Sequence, residues 1–178
     1  MWLKIDLLIG EYSEGIPELL ECCINCHQEA ALKNPNASSA AFQNAFLGSG
    51  SVENGIASAI LTLGKNHGPI IDARVVYEHF EEGDFDMIKR GAKIAGFGNS
   101  FFKEGIDPSF DPLDAMIRYD FPKIAERIDE LTEYMHKYKK IYPNAALYTA
   151  AVCSEARVKR GHESALFIMA RIPAWINL

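Results

Sequence analysis

Hydrophobic and polar positions repeat with helical spacing along nearly the whole chain. The clearest case is 122–140, where one face is apolar and the other charged; the inward positions are Ile124, Ile128, Leu131, Met135 and Tyr138. The same kind of spacing predicts helices over 17–32, 38–47, 52–63, 69–80, 84–94, 145–157 and 163–176. No stretch alternates as a half-buried strand does. The pattern predicts an all-α fold.

Proline, glycine and short polar residues mark the predicted helix ends. Pro17 is placed to open the first helix, because proline is accommodated in a first turn. Ser38 or Ser39 is expected to cap the second helix. The proline-rich stretch 107–112 is predicted to be an irregular connection.

Two glycine-rich loops, at 63–69 and 94–100, each join two helical patterns and carry polar residues at their tips. A rigid helical scaffold with polar loop residues is a common way to place a few polar groups over a ligand. The two loops are therefore the first candidates for a binding site.

Small side chains are concentrated in the predicted helices 38–47 and 52–63. Small residues let helix backbones approach closely. A subunit interface explains this composition, and so does burial within one chain.

The composition argues against nucleic acid and membranes as binding partners. The formal net charge is −6, and no basic stripe accompanies it, which argues against nucleic acid. No apolar run approaches the roughly 20 residues that span a bilayer. The segment 1–9 is apolar but contains Asp6 and lacks a basic start, so a signal peptide is not expected. A cytoplasmic protein without membrane contact is expected.

Three cysteines and a histidine lie close together at 22–27: Cys22, Cys23, Cys26 and His27. Such residues are zinc ligands. However, adjacent residues of a helix point about 100° apart, so Cys22 and Cys23 cannot face one ion without breaking the helix. Cys23 and His27 instead lie on the apolar face of the predicted helix, which is typical of a helix packed against a hydrophobic core. No metal site is expected.

Three segments, in order, carry a family resemblance. Residues 36–72 begin Asn-Ala-Ser and reach Gly-Lys-Asn-His-Gly-Pro. Residues 96–108 run from Gly-Phe-Gly-Asn to Asp-Pro, and 141–176 run from Tyr-Pro-Asn-Ala-Ala to Leu-Phe-Ile-Met-Ala-Arg. These segments resemble citrate synthase and its relatives, citryl-CoA lyase and the lyase module of ATP-citrate lyase. Residues 36–178 are similar to the later half of a full-length citrate synthase.

The resemblance implies a citrate synthase-like helical fold with interface helices and a smaller helical lobe. Residues 1–67 and 145–178 correspond to part of the large domain, and 68–144 to the small domain. It also implies a two-fold homodimer through the small-residue helices, with a complementary subunit as a further possible partner.

The resemblance assigns chemistry residue by residue. In the family, one aspartate takes a proton from the thioester methyl group, two histidines act on the carbonyl oxygens and arginines hold carboxylates. His67 corresponds to the first histidine and Asn99 to the second, so both are candidate catalytic residues. Arg171 matches a substrate-binding arginine. His27 is the candidate for the substrate-binding histidine.

Several family groups are replaced. The aspartate corresponds to Ala146, and the arginine after Asp-Pro corresponds to Ser109. An amide such as that of Asn99 donates hydrogen bonds but is not an acid at neutral pH. For a substitute base, the sequence offers Asp107, Asp111, Asp114 and Glu155 without placing one.

The resemblance implies that coenzyme A is the cofactor or ligand. Its candidate contacts are Gly96, Phe97, Gly98, Lys103 and Asn144.

The sequence leaves three hypotheses about the function of the chain. The first is a non-catalytic or impaired family member that binds coenzyme A or a small carboxylate. The second is an active enzyme that forms or cleaves a carbon–carbon bond of an acyl-CoA with altered groups. The third is a helical interaction subunit.

Overall fold

The computed structural model describes residues 14–34, 36–64, 66–81, 92–99 and 101–177. Its helices are α1 (Ile16–Lys33), α2 (Ala37–Ser49), α3 (Val52–Leu61), α4 (Ile70–His79), α5 (Asp111–Asp120), α6 (Pro122–Lys139), α7 (Ala145–Glu155) and α8 (Glu163–Ile176). A 3₁₀ turn at Pro108–Phe110 leads into α5. The described residues contain no strand, only two isolated bridges. The predicted all-α fold is confirmed.

Helix starts follow the sequence with one correction. Pro17 lies in the first turn of α1, as predicted. The cap of α2 is not Ser38 or Ser39 but Asn36, whose Oδ1 accepts hydrogen bonds from both serine N–H groups. Asparagine at an N-cap satisfies donors that the helix itself leaves free.

The prediction of an irregular connection at 107–112 is wrong. This stretch contains the 3₁₀ turn and the start of α5, with Pro112 in the first turn. Proline costs nothing there because the N–H groups of a first turn have no partner within the helix. Most of the predicted helix 84–94 lies outside the described residues, and 92–94 is not helical. The segment 1–9 also lies outside them.

The main core forms where α1 packs against the 3₁₀ turn, α5 and α7. Its largest side chains are fully buried: Ile16, Leu19, Leu20, Phe110, Leu113, Ile117, Ile124, Ile128, Leu131 and Met135. The predicted inward positions of 122–140 are therefore in the core except Tyr138, which is 40% exposed. Tyr138 lies in the last turn of α6, beyond the buried part of that face.

Helices α2 and α3 pack against each other and against α8. A Cβ on Gly55 would lie 2.7 Å from the ring of Phe42, so this small residue is required by packing within the chain. Phe42, Ala59 and Trp175 make the small core between the three helices.

A buried ion-pair network joins α4 to the segment that opens α8. Arg74 Nη1 donates to Glu163 Oε1 at 2.9 Å and to the carbonyl of Val158 at 2.6 Å. Arg74 Nε donates to Glu78 at 2.7 Å, and Glu78 also binds Arg160. Ser154 Oγ of α7 also donates to Glu78 at 2.8 Å, so the network joins α4 to both α7 and α8, which contribute residues to the cleft described below.

The four cysteines are free thiols; Cys23, Cys26 and Cys153 are buried, and Cys22 is half-buried against the core. Cys22 and Cys26 share a hydrogen bond, and Cys23 is close to Cys153. Burial raises the pKa of Cys26 and of Cys153 to about 12. In the described part of the chain, no cluster of His, Cys, Asp and Glu is arranged to hold a metal ion. Nor does any helix there have the length and apolar character to cross a bilayer.

Candidate ligand-binding cleft

One cleft, of about 820 Å³, gathers the candidate site residues. Its walls come from the loop before α4, the glycine turn at 94–99, the start of α7 and the inner face of α8. Most of the predicted site residues line it: His67, Gly96, Phe97, Gly98, Asn99, Asn144 and Arg171. His27 and Lys103 do not. His27 lies in the core behind the cleft, and Lys103 is exposed outside it.

Asn144 fixes the glycine turn to the start of α7. Its N–H donates to the carbonyl of Gly96 at 2.9 Å, and its Nδ2 donates to the carbonyl of Gly98 at 2.8 Å. Its Oδ1 caps α7 by accepting from the N–H of Ala146 at 2.9 Å. Asn144 therefore has a structural role that accounts for all of these polar groups.

Gly96 has no room for a side chain. Its φ is +88°, and a Cβ would lie 3.1 Å from Leu147 and 3.4 Å from Ala73. Gly98 has a similar φ of +80°, but a Cβ there would meet open space. The first glycine is required by conformation and packing, the second by conformation alone.

The hydrogen bonds of His67 define its tautomer. Its Nε2 lies 3.1 Å from Ser38 Oγ, and Ser38 uses its hydroxyl proton on Asn36 Oδ1 at 2.7 Å. Nε2 must therefore donate, so in the neutral ring Nδ1 is unprotonated. Burial, with the nearby charge of Arg171, lowers the pKa of His67, which keeps the ring neutral at pH 7.

His27 is assigned in the same way. Thr149 Oγ1 donates to the carbonyl of Ala145 at 2.7 Å and lies 2.6 Å from His27 Nε2. Nε2 must donate to Thr149, which leaves Nδ1 as an acceptor. Burial, with the charge of Arg171, holds the pKa of His27 well below its usual range.

Arg171 carries the unsatisfied charge of the cleft. Its side chain is buried, with 5% of the residue exposed. Nη2 lies 3.4 Å from His27 Nδ1, and the guanidinium lies over the ring of Phe167 at 5.0 Å. Nε and Nη1 have no hydrogen-bond partner among the described residues. Burial lowers the pKa of Arg171 to about 10, partly offset by Asp107, so the group is still charged at neutral pH.

Sequence comparison identifies the family. The model of the citrate synthase C-terminal domain matches residues 9–177. The chain belongs to the citrate synthase family. No curated protein matches the chain significantly.

Solved citrate synthase-family structures share the fold. Citryl-CoA lyase from Hydrogenobacter thermophilus gives a TM-score of 0.76 at 20% identity, over 97% of this chain and 72% of the lyase. Citrate synthase from Thermotoga maritima gives 0.76 at 30% identity, over 93% of this chain and 48% of that one. Citrate synthase from Thermoplasma acidophilum, solved as a ternary complex with carboxymethyl coenzyme A and oxaloacetate, gives a TM-score of 0.70 at 20% identity. The match covers 93% of this chain and 48% of that citrate synthase. The chain spans about half the length of these two citrate synthases.

Three positions depart from the citrate synthase motifs; two of them line the cleft and one does not. Ala146 lines it and contributes a methyl group. Asn99 also lines it, with Oδ1 accepting from the N–H of Phe101 at 2.8 Å. Ser109 is buried beside Asp107 and does not line the cleft.

Among the candidate substitute bases, Asp107 lines the cleft and the other three do not. Asp107 is almost fully buried, and its Oδ1 accepts from the N–H of Ser109 at 2.9 Å. Asp114 instead binds Tyr148 and Arg118. The sequence missed a second cleft carboxylate, Asp72, which lies in the first turn of α4.

The glycine turn offers few free donors to coenzyme A. The N–H of Phe97 donates to the carbonyl of Ile94, and the N–H of Gly98 donates to that of Tyr142. Positive charge is supplied by two lysines that line the cleft, Lys93, which is exposed, and Lys139, whose Nζ donates to the carbonyl of Ala92.

Phe167 is the main site residue that the sequence analysis missed. Its ring packs against Arg171, against His27 at 5.0 Å and against His67 at 6.0 Å. The available signal was spacing, because Phe167 precedes Arg171 by four positions and so shares its helical face.

Proposed function

We propose that this chain binds a small carboxylate or a coenzyme A thioester in the cleft, and that it is impaired in the condensation chemistry of its family. Arg171 is the residue that contacts the carboxylate, and His27 orients Arg171 from behind. His67, Asn99 and the turn at 96–98 form the facing wall.

The unpartnered guanidinium of Arg171 carries the proposal. A buried charge without a partner is costly, and proteins normally pair such groups. A carboxylate can accept two parallel hydrogen bonds from one guanidinium. Such a pair of bonds uses Nη2 together with either Nε or Nη1; Nε and Nη1 have no partner, and Nη2 has only the 3.4 Å contact with His27 Nδ1.

The side chains around the cleft support impairment. Ala146 supplies no proton acceptor where the family motif has an aspartate. A positioned acid or base typically contributes about 10²–10⁴ in rate. Neutral His67 uses its N–H on Ser38, so its other nitrogen cannot donate to a developing enolate oxygen.

A second candidate function rests on Asp107. Its carboxylate lines the same cleft as His67 and serves as the substitute base in the alternative, an active acyl-CoA synthase or lyase with altered groups. In that case Asp107→Asn would abolish turnover.

Thiol release separates these two functions. Acetyl-CoA with oxaloacetate, and citryl-CoA alone, are each incubated with the protein in the presence of a thiol reagent. No release above the protein-free rate is expected. Turnover that is lost in His67→Ala or Asp107→Asn would establish the alternative.

Calorimetry tests binding itself. Saturable heat is expected on titration with pyruvate or oxaloacetate, or with coenzyme A. The absence of heat with all three at millimolar concentration would contradict the proposed function and favour the interaction subunit.

We also propose that α2 and α3 form a homodimer interface, and that the chain divides into lobes at 67–68 and 144–145. Two large apolar side chains on these helices support the interface: Leu47 is 80% exposed and Leu61 is 85% exposed. Leu47→Asp with Leu61→Asp should shift a dimer to monomer in light scattering. Tyr119→Asp, an equally exposed site on α5, is the control and should leave the mass unchanged.

A further inference from the structure

Two free thiols lie one helical turn apart on α1, away from the cleft. Cys22 and Cys26 are four positions apart in the helix, so their side chains project from the same face. A hydrogen bond links the two thiols. Cys22 is half-buried, which leaves the pair accessible from solvent, whereas Cys26 is buried. Neither residue lines the cleft, so the pair has no part in the proposed function.

The helix geometry excludes a disulfide between these thiols. Residues four positions apart in a helix have Cβ atoms about 5–6 Å apart. A disulfide needs about 3.5–4.5 Å between the Cβ atoms, so closing one would unwind this part of α1. A metal ion between the two sulfurs lengthens the bridge, because metal–thiolate bonds are about 2.3 Å each, as for zinc. Such a bridge spans the helical distance without changing the backbone.

The number of available ligands selects the kind of ion. Among the described residues, no group of three or more His, Cys, Asp and Glu side chains could hold an ion. Cys23 points about 100° away from Cys22 and lies in the core near Cys153. Zinc sites of the structural type have four ligands, whereas soft thiolates also select copper(I), a monovalent ion that two thiolates can hold in a linear arrangement. Two thiols alone therefore suit copper(I) and not zinc.

The surroundings of the pair stabilise the charge that forms on binding. Copper(I) displaces one proton from each thiol, so the complex with two thiolates carries a single negative charge. The N–H of Leu113 donates to Cys26 Sγ from the first turn of α5, where N–H groups lack helical partners and favour negative charge. Glu29, the nearby carboxylate, is paired with Lys33. The Leu113 donor therefore faces the thiolate while the neighbouring negative charge is neutralised.

We infer that Cys22 and Cys26 form a binding site for a soft monovalent metal ion, copper(I), held between the two thiolates on the face of α1. Two copper–sulfur bonds form, both thiol protons go to solvent, and neither copper nor sulfur changes oxidation state. The site lies outside the cleft and does not depend on the proposed function.

Competition with a coloured copper(I) chelator tests the site. The full chain is added anaerobically to the copper(I) complex of bicinchoninate, with a reductant that is not a thiol. The wild type should remove one copper(I) ion per chain from the chelator. Cys22→Ser removes one sulfur at a half-buried position that tolerates a hydroxyl group, and it should bind copper(I) at least a hundredfold more weakly.

Cys153→Ala is the matched control, because it removes a free thiol that lies outside the pair. Its affinity for copper(I) should stay within threefold of the wild type. Circular dichroism of both variants checks that they are folded. Zinc(II), titrated against a coloured zinc chelator, should not be bound by the wild type.

Each outcome decides the inference without bearing on the cleft. No uptake of copper(I) by the wild type overturns it. Uptake that is undiminished in Cys22→Ser, or lost in Cys153→Ala, overturns the assignment to this pair of thiols. Binding of zinc(II) by the wild type in equal amount overturns a site of only two ligands.

Discussion

Arg171 and His27 meet in the interior, with Arg171 Nη2 3.4 Å from His27 Nδ1. His27 is anchored on its other side by Thr149 and presents an unprotonated nitrogen to the guanidinium. One edge of Arg171 is therefore held by a neutral acceptor, while Nε and Nη1 have no partner. In the proposed function, His27 therefore positions Arg171 from outside the cleft.

Acid should destabilise the protein through its buried histidines. An unfolded histidine takes up a proton below about pH 6.5. Folded His27 and His67 have lowered pKa values, so the unfolded chain binds more protons below that point and stability falls as pH drops. His27, whose pKa is held well below its usual range, contributes a slope of up to about 1.4 kcal/mol per pH unit, and His67 adds to it until its own lowered pKa is reached.

Urea unfolding at pH 7.5, 6.5 and 5.5 measures this slope. His27→Gln keeps a donor for Thr149 and should flatten the dependence by about one proton, with some loss of stability at pH 7.5. The exposed His162→Gln is the control and should keep the wild-type slope. A wild-type protein equally stable at all three values would contradict the assignment of neutral, buried rings.

Burial should decide the strength of two ion pairs that have the same N–O distance, although the exposed pair is bidentate and the buried pair is not. Arg74–Glu163 and Arg118–Asp129 both have N–O distances of 2.9 Å. The side chains of the first pair are 7% and 1% exposed, and those of the second 47% and 56%. Removing one partner of an isolated buried pair costs about 3–5 kcal/mol, and this is an upper limit for Glu163 because Arg74 keeps its ion pair with Glu78.

Glu163→Ala should therefore lower the free energy of unfolding by about 1.5–3 kcal/mol, the worth of a lost hydrogen bond to a charged group, and Asp129→Ala by less than about 1 kcal/mol. Denaturant titration measures both. Similar losses in the two variants would show that the α4–α8 network does not behave as a buried ion pair.

The two glycines of the turn should differ in their tolerance of alanine. A left-handed conformation costs a non-glycine residue about 1–2 kcal/mol, and this applies to both Gly96 and Gly98. Gly96→Ala adds a clash with Leu147, and overpacking costs about 1–3 kcal/mol more. Thermal unfolding should rank wild type above Gly98→Ala and Gly98→Ala above Gly96→Ala; the reverse order of the two variants would contradict the packing described at the turn.

Periodicity predicted the helices well where one face is buried throughout, as in α1 and α6. It failed for α5, because prolines and aspartates at 107–112 are equally typical of loops and of helix first turns. Asn36 was missed as a cap because Ser38 and Ser39 are as good by residue type; the backbone conformation decides between them.

The family motifs predicted which residues line the cleft, but not the hydrogen bonds, tautomers and charge pairing of its side chains. Asn144 and Gly98 are 46 positions apart, and their hydrogen bond depends on tertiary packing. The missing partners of Arg171, the tautomer of His67 and the approach of Asp107 likewise arise from contacts between distant segments. The sequence alone shows that alanine occupies position 146, where the family motif has an aspartate. Which charged groups lack a hydrogen-bond partner can be seen only in the three-dimensional structure.

The most direct test of the account is pyruvate titration of Arg171→Met followed by calorimetry, beside wild type and Arg157→Met. Arg157 is exposed and lies outside the cleft, so its variant removes the same charge elsewhere. Thermal unfolding should show Arg171→Met at least as stable as the wild type, because replacing an unpaired buried charge by an apolar group is often neutral or stabilising. Saturable binding is expected for wild type and Arg157→Met, and at least a hundredfold weaker binding for folded Arg171→Met. Undiminished binding by Arg171→Met would contradict it.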